Sequence, residues 1–137
     1  MLVTLDSITT KITKGTTPTS VGCTFENSGV NFIKSESLGN SRNIDRSKFA
    51  FISEQTHEKL KRSQIEKNDI LFSMAGMFLG KTGIVTNDLV PANTNQAVAI
   101  IRIDTEKLTM SMFITILISD RLYRQLMLLQ RSRLNLI

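Results

Sequence analysis

Residues 70–85 read ILFSMAGMFLGKTGIV, and two readings of that stretch lead to different folds. The segment Gly76-Met77-Phe78-Leu79-Gly80-Lys81-Thr82 comes close to a phosphate-binding loop, in which a strand feeds a glycine-rich turn and then a helix. Such a loop needs four residues between its glycines, so that successive backbone N–H groups curl around the phosphates before Lys and Thr arrive. Here three residues separate Gly76 from Gly80. A nucleotide loop also leads into a helix whose N-terminal dipole faces the phosphates. Thr82-Gly83-Ile84-Val85 is instead a β-branched, glycine-interrupted run that suits a strand. The stretch therefore predicts strand, glycine turn, strand. A P-loop-like NTPase is the weaker alternative, resting on Gly80-Lys81-Thr82 alone.

Outward from that hairpin the pattern stays extended. Asn68-Asp69 predicts a turn into the strand 70–74, and residues 97–103 predict a further strand. Upstream, Gly29-Val30-Asn31-Phe32-Ile33-Lys34 alternates as a strand with Val30 and Phe32 on one face. Residues 35–48 are polar apart from Leu38 and Ile44 and predict an exposed loop. Residues 49–52 predict another short strand. Ser53 then caps a helix with Glu54 in its first turn and Lys59, Lys61 and Arg62 at its end, the charge order that a helix dipole favours. Near the start, residues 2–5 alternate, Asp6 offers a cap for a helical turn through Ile8, and a hydroxyl-rich turn with Pro18 follows Lys14-Gly15. After Asp104 the spacing becomes helical, with stripes at Met110, Phe113, Ile114, Leu117 and Ile118 and at Leu122, Leu126 and Leu129. Strands first and helices last predict an α+β fold: a single domain with a small, mostly antiparallel twisted sheet, a mid-chain helix and C-terminal helices.

Composition sets the bounds. A chain of 137 residues with 41% hydrophobic and 21% charged residues has the profile of one globular domain able to bury a core without metal or disulfide. The apolar run 108–118 is too short to span a bilayer, and the first residues lack a signal-peptide pattern, so a cytoplasmic location without membrane association is expected. Cys23 and His57 are single, which excludes an internal disulfide and the usual zinc sets. Seventeen Lys and Arg against twelve Asp and Glu favour an anionic partner, most economically nucleic acid.

Several chemistries fail on residue supply. A base methyltransferase needs a Gly-rich cofactor turn and a Pro-containing element at the reacting base, which Pro18 and Pro91 do not build. No Asp or Glu stands two residues before a Lys, the spacing of a common metal-dependent nuclease core. Cys23 with His57 is too sparse a pair to define a nucleophilic site. No cofactor is expected.

The order of features carries more than any one of them: Leu5-Asp6-Ser7-Ile8, Ile12-Thr13-Lys14-Gly15-Thr16-Thr17-Pro18-Thr19, Gly29-Val30-Asn31-Phe32-Ile33-Lys34, Leu60-Lys61-Arg62-Ser63, Asn68-Asp69-Ile70-Leu71-Phe72-Ser73-Met74-Ala75-Gly76, Gly80-Lys81-Thr82 and Pro91-Ala92-Asn93-Thr94-Asn95-Gln96-Ala97. The series resembles a target recognition domain of type I restriction-modification specificity subunits. The paired glycines followed by Asn95-Gln96 are its most specific part. The resemblance covers nearly the whole chain. It implies a non-catalytic module that reads one half of a bipartite double-stranded DNA target. It also implies a methyltransferase subunit, a motor and nuclease subunit, and a second recognition domain supplied in cis or by dimerisation. Two departures are Asn68-Asp69 where the family usually has Gly-Asp, and the end of the chain at Leu136-Ile137, where a spacer helix should begin; residues 121–137 are read as its start.

Base readout needs side chains that present two hydrogen bonds to a base edge, as Arg does to guanine and Asn to adenine, while Lys and Thr serve phosphates. The candidates are Lys34, Asn40, Arg42 and Asn43 in the polar loop, with Thr16, Thr17, Thr19 and Lys81 as backbone contacts. Asn93, Asn95 and Gln96 are expected to be buried beside the glycine turn, satisfying strand-edge groups. Phe25, Phe32, Phe72 and Phe113 are expected in the core. A single-stranded nucleic-acid-binding domain is the runner-up. It would need exposed aromatic rings among basic residues, and one Tyr with no Trp supplies few.

Overall fold

The computed structural model describes residues 5–107 together with Thr109, Ser111 and Met112. A 3-10 turn at Leu5–Ile8 leads into β1 (Thr9–Lys14), followed by β2 (Val30–Ile33), β3 (Ala50–Ile52), the helix α1 (Glu54–Lys59), β4 (Ile70–Ser73), β5 (Thr82–Ile84), β6 (Ala92–Thr94) and β7 (Val98–Ile103). The strands make two sheets. One is four-stranded and antiparallel in the order β1-β7-β4-β5; the other has the order β3-β2-β6, with β2 antiparallel to β3 and parallel to β6.

The residue patterns explain the layers. Val30 and Phe32 share one face of β2 and pack with Ile52 and Leu60, while Ile33 points the other way into the larger core. That core draws Leu71, Val98 and Ile100 from the first sheet and Ile33 and Ala92 from the second, so it lies between them. Each fully buried aliphatic or aromatic side chain there contributes roughly 1.5–3 kcal/mol. Ile70, Phe72 and Ile101, on the other face of the first sheet, are buried as well. Burial on both faces accounts for the continuous apolar runs of β4 and β7, which do not alternate.

The hairpin reading of residues 70–85 holds. β4 and β5 pair antiparallel, Ile70 against Ile84 and Phe72 against Thr82, and Lys81 leads directly into the strand β5. Asn68 has a φ of 72°, a positive value that Asn tolerates. Ser53 caps α1 through a bond from Thr56 N to its Oγ at 3.1 Å.

One expectation needs correction. One sheet was expected and two form, because the chain pairs β2 with β6 in parallel and apart from β4 and β7. Two strands also carry no sequence signal of the usual kind. β1 reads TTKITK, an edge strand with Ile12 as its aliphatic residue, and its register with β7 shifts between Thr9 and Lys11. β6 reads ANT, three fully buried residues in a row that hold their place through polar side chains. The expected closing helices lie outside the described residues, save that Ser111 and Met112 are helical.

Candidate functional site

Strand directions gather the loops at one pole. Gly15 N donates to Val98 O at 3.1 Å and Thr16 N to Thr94 O at 3.0 Å, so the turn after β1 lies against the end of β6 and the start of β7. Ile33 pairs with Thr94, which brings Lys34 to the same end. Ser73 pairs with Val98 and its N–H donates to Lys81 O at 2.9 Å, which brings the β4–β5 turn there too. The ends of β1, β2 and β6 and the tip of the hairpin thus share one pole.

Two glycines permit this close approach. A Cβ on Gly15 would stand 2.1 Å from the Thr94 carbonyl oxygen, so no other residue lets the threonine loop seat on β6. A Cβ on Gly83 would stand 2.5 Å from Ile44 Cγ1 and 2.9 Å from Leu38 Cδ2. Leu38 and Ile44 pack into the core across Gly83, and they anchor the polar loop along the free edge of β5. Gly39 and Thr82 exchange backbone bonds at 3.3 and 3.1 Å, and Ile84 N donates to Arg42 O at 2.9 Å.

The candidate residues fall into three groups. Asn40 and Lys81 are brought together, with Lys81 Nζ donating to Asn40 Oδ1 at 2.8 Å. Arg42 and Asn43 are exposed further along the same edge, beside Ile84, and Arg42 has a φ of 68°. Thr16, Thr17 and Thr19 form the separate loop. Thr16 Oγ1 accepts from Arg62 Nη2 at 3.0 Å, the Thr17 carbonyl accepts from Ser20 N and Oγ, and Thr19 is exposed. Lys34 stands between the two loops and pairs with Glu36 at 2.9 Å.

Sequence reasoning missed Arg62 as a site residue, because the basic end of α1 reads as a complement to the helix dipole. The signal was the quoted Leu60-Lys61-Arg62-Ser63, which a short 3-10 turn at Lys61–Ser63 lays beside the threonine loop. It also missed Met77, which stands 91% exposed on the hairpin turn.

Behind the pole, Asn93 is fully buried and fully used. Its Oδ1 accepts from Ser63 Oγ at 2.5 Å and from Thr94 N at 3.1 Å, and its Nδ2 donates to Leu60 O at 3.2 Å. Asn95 Oδ1 accepts from Ala97 N at 3.1 Å, so both asparagines have the expected structural role. Gln96 does not: it is exposed, because the turn that Asn95 closes carries the next side chain outward. Phe32 and Phe72 are core, and Phe113 lies outside the described residues. Phe25 departs from expectation at 41% exposure, its ring packed edge-on against Phe32 at 5.1 Å.

The opposite pole holds a buried ion pair beside an open cleft. Asp69 is fully buried and accepts from Arg102 Nε and Nη2, each at 2.8 Å, and from Glu66 N, also at 2.8 Å. These bonds hold the guanidinium pKa above its ordinary value. Lys11, opposite Arg102 across β1 and β7, has its pKa lowered by burial and then by the Arg102 charge. A cleft of about 520 Å³ opens here between Thr10, Glu66, Asn68, Arg102 and Asp104, away from the loops. Among the described residues no cluster of His, Cys, Asp and Glu could hold a metal ion, and no helix is long and apolar enough to cross a membrane.

The family model described as the type I restriction modification DNA specificity domain fits residues 1–136. No curated protein matches the chain.

Proposed function

Because this chain belongs to the type I restriction-modification DNA specificity domain family, and so serves DNA target recognition in such a system, we propose that it reads one half of a bipartite duplex site. One observation carries the reading. The exposed amide and guanidinium of Asn40 and Arg42, the cations Lys34, Arg62 and Lys81, and the hydroxyls of the threonine loop are set on one pole by a scaffold that keeps its buried acid at the other. Amides and guanidinium groups specify bases, and cations and hydroxyls position the phosphate backbone.

On this reading the chain contributes no chemistry of its own. A methyltransferase subunit modifies adenine, a motor subunit cleaves, and a second recognition domain, in the same polypeptide or in a partner copy, reads the other half-site. Joining the two domains raises the effective concentration of each on DNA, so one half-site need bind only weakly by itself.

The test is a graft. Residues 5–129 replace one recognition domain of an intact specificity subunit, and adenine methylation is mapped across the genome of cells that carry the chimera. One half of the methylated target should change. An assembled, methylating enzyme that keeps both original half-sites would overturn the reading.

A further inference from the structure

The tip of the β4–β5 turn carries the most exposed large apolar side chain among the described residues. Met77 is 91% exposed, Leu79 beside it is 40% exposed, and Phe78 between them is half-buried. Single exposed apolar residues are ordinary. This set is held in place. Leu79 N donates to Gly76 O at 3.2 Å, Gly80 N to Ser73 O at 2.9 Å and Lys81 N to Phe78 O at 3.0 Å. Gly76 and Gly80, with φ of 74° and 84°, supply the left-handed corners that such a turn needs. These three bonds fix the turn and leave its apolar side chains at the surface.

We propose that Met77 reads a thymine 5-methyl group in the major groove. The inference rests on the half-site reading above and names one of its contacts. The thymine methyl is the apolar group that base pairs present in the major groove. Asn40 is tied to the same turn and carries an amide that suits the other half of such a base pair. Its Oδ1 accepts from Lys81, four residues after Met77 on the same turn, and keeps a second lone pair, while its Nδ2 is directed away from that bond. A side-chain amide recognises adenine, and the partner of adenine is thymine. Methionine suits the methyl half of that pair because its unbranched thioether adapts to a small apolar target.

Duplexes are first enriched from a randomised library by the wild-type chain. Each thymine of the enriched sequence is then replaced in turn by deoxyuridine, which removes the methyl and leaves base pairing intact. One replacement should weaken wild-type binding about fourfold, the factor for losing burial of one methyl-sized group. Met77→Ala should weaken binding to the thymine duplex by a similar factor and lose its sensitivity at that one position. Met77→Leu should keep it, and the salt dependence of all three proteins should be the same, because no charge changes. If a sequence is enriched but no deoxyuridine replacement matters, or if Met77→Ala stays equally sensitive to it, the methyl contact is overturned and the half-site reading stands. Loss of assembly with a methyltransferase subunit, with DNA binding unchanged, would assign the tip to a protein contact and overturn the proposal. If the wild-type chain enriches no sequence, the methyl contact falls, and the half-site reading is judged by the graft alone.

Discussion

At one end of β4 the carboxylate of Asp69 is fully buried and takes two bonds from Arg102 at 2.8 Å, whereas at the other end Lys81 holds the exposed amide of Asn40, also at 2.8 Å. Equal distances conceal unequal bonds. The buried Asp69 carboxylate has no water to fall back on, so removing Arg102 strands it, while removing Asp69 leaves the guanidinium only Glu66 and its partial exposure. At the surface water replaces either partner, and the contact has little net worth. Lys81 can therefore exchange Asn40 for a phosphate at small cost, while Arg102 cannot leave Asp69. The buried pair fixes β7 to the turn before β4; the exposed pair ties the polar loop to the β4–β5 turn by a contact that either side chain can give up.

The largest effect should come from breaking the buried pair. Asp69→Ala leaves Arg102 and the Glu66 N–H without their carboxylate and should cost about 3 kcal/mol. That is the lower end for a disrupted buried pair, because the Arg102 side chain is 25% exposed and keeps Glu66 at 3.3 Å. Lys81→Ala should change stability by less than about 0.5 kcal/mol. Urea unfolding of the two variants checks both. Equal losses would break the comparison, since they would mean that the loop pole is as much a part of the folded core as the pole that holds the buried pair.

Next in size is Asn93→Ala, which should cost about 2 kcal/mol because Ser63 Oγ, Thr94 N and Leu60 O each lose a partner away from water. Asn95→Ala, which frees one half-buried N–H, should cost about half as much. The same unfolding measurement ranks them. An order reversed from this would place the support of the threonine loop in the turn at Asn95 instead of in β6.

These residues also show what could be read before the structure was known. The β4–β5 hairpin was legible because glycine spacing and β-branching are local properties, and Asn68 was legible as a turn because its side chain tolerates positive φ. β2 was legible from alternation, since its two faces enter different clusters. β6 was not. Ala92-Asn93-Thr94 is held by groups from Leu60, Ser63 and Ile33, thirty or more residues away in the chain, and no local pattern encodes such partners. β1 was hidden for a related reason: its evidence is the pairing with β7, nearly the whole described chain away. The polar loop was correctly read as exposed, but its course along β5 depends on the missing Cβ of Gly83, and that glycine reads in sequence as a simple strand interruption.

A smaller effect separates stability from recognition at one residue. Arg42 adopts a φ of 68°, a left-handed conformation that strains any residue with a Cβ. Arg42→Gly should remove that strain and raise stability by about 1 kcal/mol, while taking a guanidinium from the reading surface. The urea midpoint should rise, and the grafted reading head should relax its sequence at one position. A fall in the midpoint would mean that the Arg42 side chain, and not the bond from Ile84 N to its carbonyl, holds the loop on β5.

The smallest effect is one of pH, and it sharpens the contrast because it acts behind the loops without touching either charged pair. Asn93 Oδ1 is occupied by Ser63 Oγ and Thr94 N, so its Nδ2 must be the donor toward His57 Nδ1 at 3.3 Å, and that nitrogen must keep its lone pair. Burial lowers the His57 pKa from its ordinary 6.5, with Glu58 and Glu54 opposing the shift. Below 6.5 the unfolded chain therefore takes up a proton that the folded chain refuses, and stability rises with pH across that window. The contribution is complete above 6.5 and is lost as pH falls through 6.5 toward the lowered folded value. Asp45 and Asp88, lowered chiefly by side-chain bonds from Ser47 and Thr86, act in the same direction but begin to matter only near 3.8, well below the pH at which His57 begins to respond. Urea midpoints measured between pH 7.5 and 5 should decline for the wild-type chain and stay flat for His57→Gln. A decline of the same size in the variant would show that the pH dependence arises elsewhere and that the amide of Asn93 does not set the protonation of His57.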